Sequence, residues 1–530
     1  MVLSTKHQGI ELGETRIDSP TDRDAVVLTR LGKKPVLKRS FGFLAILGFS
    51  CTSLITWEGS LVLFLAGLQN GGPAGVIYGY ILVWIGTTST FIVLSELVSM
   101  APTSGGQYHW VSMLAPRSSQ KILSYIAGWL TVTGWQAFFA SGAFLNATMI
   151  QGLITLTHPE YIPPKNNWHG TLIYWGIVLF CVTINIGATW LLPKFEGVIL
   201  ILHVLGFFGI MIPLLTLGPH VSAADVFEVW VNAGGWQTQG LSFCVGVMGS
   251  VFAFIGGDGA IHMSEEIQNA AVVVPRSIMA GILINGSLGF GMVLTVLFRA
   301  GSIDDALAEN PMYPFMAIFH NAVGSVGGAS VMASLVMILG ACATVSALAS
   351  ASRVLWAFSR DRGVPGWGVV SQISTRTSIP VYSIATTTAI SILLSLVNIG
   401  SATAFNGVIS ISIAGLFASY LLVSILLLWR RCTGGILPPN STPSELTNTV
   451  GTTLTWGPWK LPHVFGIANN AFCSLYLTFV FFFSFWPSFK DVTPMTMNWS
   501  ILVTGFVTVF SAVYYVAWGR KTYKGPVIEI

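Results

Sequence analysis

Residues 252–267 read FAFIGGDGAIHMSEEI. The chain leading into them, from about residue 241, is apolar enough to enter a bilayer as a helix. Gly256, Gly257 and Gly259 then surround Asp258. Each glycine costs a helix about 1 kcal/mol relative to alanine, so three in four positions predict an interruption. The carboxylate falls inside that interruption. A second segment has the same character. Residues 55–61 read ITWEGSL, and Glu58 is the only charge between Phe41 and Leu68. A charge at mid-membrane costs at least about 2.5–3.5 kcal/mol on insertion scales, and such residues normally face a cavity and mark a pathway.

The whole composition agrees with a membrane setting. Of 530 residues, 53% are hydrophobic and only 9% are charged, against about 25% charged in soluble domains. The apolar runs are continuous rather than alternating, which predicts helices and not a barrel. Twelve spans are expected, at roughly 41–69, 75–100, 121–154, 170–191, 195–217, 241–268, 277–299, 329–357, 380–399, 403–429, 464–487 and 499–519. Residues 1–40 are polar and charged, lack the apolar core of a secretory signal, and read as a weakly ordered cytosolic tail. Residues 41–519 form the membrane domain, and 520–530 a short cytosolic tail. With the N-terminus inside, 22 of the 25 Lys and Arg residues are cytosolic; Lys165, Arg299 and Lys490 fall outside. The positive-inside rule therefore places both termini in the cytosol. The sequon at Asn440 would be cytosolic, and that at Asn498 lies too close to the membrane to favour glycosylation.

Paired interruptions in corresponding helices of two halves point to a transporter built from inverted repeats. With five spans per repeat, the first and sixth are partners, and unwinding there exposes backbone groups that bind an ionic solute. Close helix packing is the competing explanation of glycines in membrane spans; a carboxylate inside both interruptions argues for a site.

Four further stretches carry a resemblance. SELVSMAPTSGGQYHW (95–110), FIGGDGAIHMSEEIQNAAVVVPRSI (254–278), RVLWAFSRDRGVP (353–365) and LTHPEYIP (156–163) resemble segments of the amino acid–polyamine–organocation superfamily. The likeness is to its fungal branch of amino-acid, GABA and choline permeases, and covers all twelve spans. It implies an all-α polytopic fold of the leucine-transporter type: two inverted five-helix repeats plus two extra helices. It also implies a solute bound between the broken first and sixth helices. By position, Trp57, Glu58, Gly59 and Ser60 match the first break, and Phe254, Ile255, Gly256, Gly257, Asp258 and Gly259 the sixth. Many relatives have a small glycine-rich first-helix turn that cradles a carboxylate. Here the turn is Trp-Glu-Gly, and a carboxylate with an indole suits a cation better than an anion.

His203 stands alone in the apolar fifth span, near the point where several bacterial relatives carry a lysine. Imidazole titrates near neutral pH. Two readings are open: a proton-coupling residue, or a neutral histidine bonded to a carbonyl or hydroxyl. His262 has the same choice. Trp135, Gln136, Thr344, Ser346 and Asn406 are candidates to complete the cavity, with helix-packing polarity as the alternative. Glu265, Glu266 and Arg353 are expected to form an inner gate, or else to be interfacial charges that fix topology.

The expected function is a secondary transporter importing a small amine or amino acid, such as choline or GABA, by proton symport through alternating access. A sodium-coupled or facilitative carrier and a non-transporting sensor are the alternatives. No nucleotide-binding motif, no H-E-x-x-H and no clustered ligand set occurs, so no cofactor, metal, nucleic-acid partner or enzyme activity is expected. The six cysteines show no C-x-x-C and read as small buried hydrophobes. The plasma membrane is the expected location.

Overall fold

The structure is a computed structural model that describes residues 20–161, 167–188, 190–310, 312–400, 402–439, 446–494 and 496–529. Among these, ten helices are long and apolar enough to cross a membrane: Phe43–Val62, Gly72–Met100, Gln120–Thr157, Trp168–Gly187, Leu192–Leu217, Ala270–Arg299, Val326–Arg360, Gly407–Cys432, His463–Phe483 and Ser500–Thr522. Two shorter apolar helices, Gln239–Ala253 and Val381–Leu396, complete the set. In chain order they correspond to the expected first to twelfth spans, with Gln239–Ala253 the sixth and Val381–Leu396 the ninth. The protein is an all-helical, multi-span membrane protein. In hydrocarbon every backbone group must be satisfied within the chain, and helices do this segment by segment.

The two anticipated interruptions are present. The first span runs Phe43–Leu54, then Ile55 at φ +24°, then Thr56–Val62. A β-branched residue rarely adopts positive φ, so this link is strained. The sixth span ends at Ala253, and Gly256 follows at φ +98°. A Cβ at Gly256 would lie 2.5 Å from the Ser53 carbonyl oxygen. The two breaks are thus in direct backbone contact, and only glycine fits there. The chain resumes as a short helix, Gly259–His262, and a turn, Ser264–Glu266.

Packing places the breaks at the centre. The first span packs on the sixth, the second on the seventh, the third on the eighth and the fourth on the ninth. The fifth covers the first, and the tenth covers the third. At one end the chain before the first span meets the chain after the twelfth, with Glu529 N–H bonded to the Gly32 carbonyl. This is called the terminal end below. The described part of the leading tail is packed against the membrane domain. Residues 20–30 form a helix, and Leu28, Leu31, Lys33 and Leu37 are buried.

Candidate functional site

Between the first, third, sixth and eighth spans lies a narrow cavity of about 40 Å³. Its walls include Ile55, Glu58 and Gly59 of the first break, and Phe252, Ala253 and Ile255 of the sixth. Phe138, Gly142 and Asn146 come from the third span, and Gly340 and Thr344 from the eighth. Small residues at Gly142 and Gly340 let the polar groups approach: a Cβ on Gly340 would sit 2.7 Å from Asn146 Oδ1. Among the described lining residues only Glu58, Asn146 and Thr344 carry polar side chains.

Glu58 is 1% exposed. Its Oε1 lies 2.7 Å from His203 Nδ1, and the Trp57 indole N–H lies 3.2 Å from that same nitrogen. The second carboxyl oxygen, Oε2, has no protein partner, nor does His203 Nε2. Nδ1 cannot accept from Trp57 and donate to Glu58 at once. Either Nδ1 carries the hydrogen and gives it to the carboxylate, or the carboxyl carries it and gives it to Nδ1 alongside Trp57. The geometry therefore places a single hydrogen between the two side chains, and the Trp57 N–H favours the tautomer in which Nδ1 is bare.

Asp258 is elsewhere. It is fully buried and accepts from Gln107 Nε2 at 3.0 Å. His262 Nε2 is 3.6 Å from the same oxygen, and His262 Nδ1 is 3.0 Å from the Ser104 carbonyl, which fixes the hydrogen on Nδ1. The Trp135 ring stands edge-on to His262 at 5.5 Å. This cluster joins the sixth break to the segment after the second span, on the terminal side of the cavity.

The terminal end is closed by ion pairs. Arg353 Nε meets Glu266 at 2.8 Å, and Arg360 grips Glu265 with two nitrogens at 2.8 and 2.9 Å. Lys33 Nζ bonds Asp361 at 2.6 Å, and Tyr108 hydroxyl donates to the same carboxylate at 2.7 Å. Val527 N–H adds a third bond to Asp361, and Glu96 pairs with Arg431. Burial pushes the Asp361 carboxyl up, but Lys33 and Arg360 more than reverse this and hold it below the ordinary carboxylate range. Among the described residues, the pairs recorded away from this end all involve a histidine: Glu58–His203, Asp258–His262 and Glu309–His320.

The residues singled out from sequence divide accordingly. Glu58, Gly59, Ile255 and Thr344 line the cavity. Trp57 and His203 stand behind Glu58. Ser60 bonds the Thr56 carbonyl and faces a separate small void near Ser250. Phe254 packs on Tyr80, Gly257 on Phe91, and Gly259 on Ser350 and Trp135. Gly256 and Asp258 are absent from the described wall. Gln136 bonds Thr387 of the ninth span, and Ser346 donates to Glu196 of the fifth at 2.8 Å. The Asn406 side chain lies outside the described residues, as does the Asn440 sequon. The Asn498 amide bonds the Ser484 and Trp486 carbonyls. Glu265, Glu266 and Arg353 meet at the terminal end. The sequence reading missed Asn146, Glu196 and Gln107.

Residues 41–507 match the model of the amino acid permease family. The chain belongs to that family. It is therefore a permease of the amino acid, polyamine and choline type, a transporter and not an enzyme. A putative amino acid/polyamine transporter of Macrophomina phaseolina is 28% identical over 86% of this chain and 96% of its own length. The choline transporter of Saccharomyces cerevisiae is 29% identical over 92% of this chain and 83% of its own. Amino-acid permease 2 of Neurospora crassa is 26% identical over 98% and 92%.

Proposed function

We propose that this permease is a proton-coupled secondary transporter of a small amine or amino acid, working by alternating access. The observation that carries the reading is the Glu58–His203 pair on the wall of the cavity between two broken helices. A proton held there is bound where the solute binds, so the two loads report to each other. The four packed pairs, first on sixth through fourth on ninth, are all offset by five. That offset supports two inverted five-helix repeats with the cavity between them. The ion pairs of Glu265, Glu266, Arg353 and Arg360 serve as the inner gate, closed in this conformation. The skew of Lys and Arg supports cytosolic termini, and the plasma membrane is the physiological setting.

Symport, the mode anticipated from sequence, requires proton and solute to be bound together. Exchange requires them to alternate on the carboxylate. Purified protein in liposomes decides this. Radiolabelled choline, GABA, putrescine, leucine, lysine and glutamate are offered with the lumen alkaline, with the lumen acidic, and with no gradient. Accumulation with the lumen alkaline shows symport; accumulation with the lumen acidic shows exchange. His203→Ala abolishes accumulation in either case while leaving counterflow. Uptake that ignores the proton gradient, or an unchanged pH profile in His203→Ala, overturns proton coupling.

A further inference from the structure

The unpaired polar side-chain atoms recorded on the cavity wall are both acceptors. Glu58 Oε2 and Asn146 Oδ1 are buried and without partners. The Asn146 amide is oriented by its neighbours: Nδ2 donates to the Gly142 carbonyl at 2.8 Å and to Thr344 Oγ1 at 3.2 Å. A carbonyl can only accept, so Oδ1 must be the free atom. Thr344 spends its own hydrogen on the Gly340 carbonyl. No Lys or Arg is among the described lining residues. The C-terminal end of the 15-residue Gln239–Ala253 helix also lies on the wall and adds partial negative charge. The rings of Phe138 and Phe252, 6.0 Å apart, complete an apolar wall able to take an alkylammonium.

We propose that the solute is a carboxylate-free organic cation, and that it replaces the proton of the Glu58–His203 pair. The proposal rests on the reading of this cavity as the solute site. A solute carboxylate would find no side-chain donor and would face Glu58, whereas an ammonium satisfies Oε2 and Oδ1 together. The proton balance follows from the pair. With the cavity empty, a lone carboxylate is too costly to bury, so the pair holds an extra proton beyond neutral His203 and ionised Glu58. When the cation arrives, Glu58 is ionised against it, Nδ1–H of neutral His203 donates to Oε1, and one proton leaves to solvent. Proton and cation therefore compete, and exchange is the coupling mode.

Other ionisable groups do not blur this. From the first span the Cys51 thiol neighbours Glu58. The third, sixth and eighth spans place no ionisable side chain on the described wall. Glu196 is two turns from His203 on the fifth span and is held by Ser346; Asp258 is held by Gln107.

The test is binding to the purified full-length protein in detergent, which needs no transport. Choline and putrescine are paired with their carboxylate-bearing counterparts betaine and ornithine, and proton release is read with a pH indicator in weak buffer. Expected are binding of at least one carboxylate-free cation, release of about one proton per site, and affinity rising about tenfold per pH unit on the acid side. Glu58→Gln should lose about 30-fold or more in affinity and all proton release. Asn146→Leu should weaken binding about tenfold and leave proton release per bound cation intact. Equal binding of a counterpart bearing a carboxylate overturns the substrate class. Cation binding without proton release overturns the competition, even if Glu58→Gln fails to fold. No binding of any probe to monodisperse protein overturns the reading of the cavity itself. Sound binding with no liposome transport removes the transporter reading instead.

Discussion

Asp361→Asn tests whether the terminal end is a gate. Asp361 is fully buried and takes three hydrogen bonds, from Lys33, Tyr108 and Val527 N–H. The substitution keeps the shape and removes the charge, leaving the ammonium of Lys33, 1% exposed, without its partner. At 2.6 Å and an effective dielectric of about 20 the lost attraction is about 6 kcal/mol. Asparagine keeps an acceptor, and breaking one side of a buried pair typically costs about 3–5 kcal/mol. If this is withdrawn from the closed form alone, the open form gains about a hundredfold to a few thousandfold in population. The assay uses a cysteine at Ala260, buried on the terminal side of the sixth break, with the six native cysteines replaced. Its labelling rate by a membrane-impermeant maleimide follows the open population. The rate should rise at least about a hundredfold in Asp361→Asn. It should fall back in Lys33→Met/Asp361→Asn, which leaves no lone charge. The Asp361 value is held below the ordinary carboxylate range. Its contribution is present above that range and lost only as pH falls through the lowered value, so the closure should not vary from pH 5 to 8 through this group. An unchanged rate in Asp361→Asn, or a double variant as open as the single, refutes the gate.

His109 lies between the second and third spans, fully buried, and burial, with Lys33 adding to it, lowers its value from 6.5 to about 4. The unfolded chain then binds more protons between these values, so stability falls as pH drops from about 6.5 to 4, by up to about 3 kcal/mol. Thermal melting of His109→Gln should lose part of this acid sensitivity; an identical pH profile excludes the assignment. Gly256→Ala places a side chain at φ +98°, costing about 1–2 kcal/mol for the backbone alone, with the Ser53 carbonyl contact in addition. A lower melting temperature and reduced uptake are expected, and wild-type values for both would mean that the two breaks do not depend on each other. Gly340→Val drives a side chain into Asn146 and should raise the half-saturating solute concentration about tenfold or more; unaltered uptake kinetics would remove this wall from the site.

The span pattern and both interruptions were legible because they rest on local chemistry. Continuous apolar runs fix helices, clustered glycines break them, and basic residues sort to one side. The cavity wall was legible where it coincides with a break, at Glu58, Gly59 and Ile255, and at one mid-span position, Thr344. Asn146 was not, because an asparagine amid small residues of a long third span looks the same whether it packs or binds. Its role shows only when Gly142 and Gly340 bring Thr344 against it. Asp258 looked like the counterpart of Glu58 because both are carboxylates in glycine-rich breaks. The positive φ at Gly256 turns the chain, and Gln107, more than a hundred residues earlier, meets the carboxylate. The ordering of the tail around Lys33 depends on Asp361 and Glu529 from the far end of the chain, which no local pattern reveals.

Three buried carboxyls share the middle of this molecule, and their partners separate their roles. Asp258 has an amide donor and a histidine whose hydrogen is committed to the Ser104 carbonyl. It is held in place by its own network and links the sixth break to the segment after the second span. Glu196 accepts from a hydroxyl that carries no charge, so nothing on Ser346 drives a proton on or off it. Glu58 alone among the three has a titratable partner at 2.7 Å and stands on the cavity wall. Burial demands that each negative charge be compensated. In the proposed exchange, the compensation at Glu58 is a proton or a visiting cation, and one replaces the other without leaving a bare charge. A transport cycle needs a site with two such satisfied states, and in the proposed cycle Glu58 is the carboxyl that offers them.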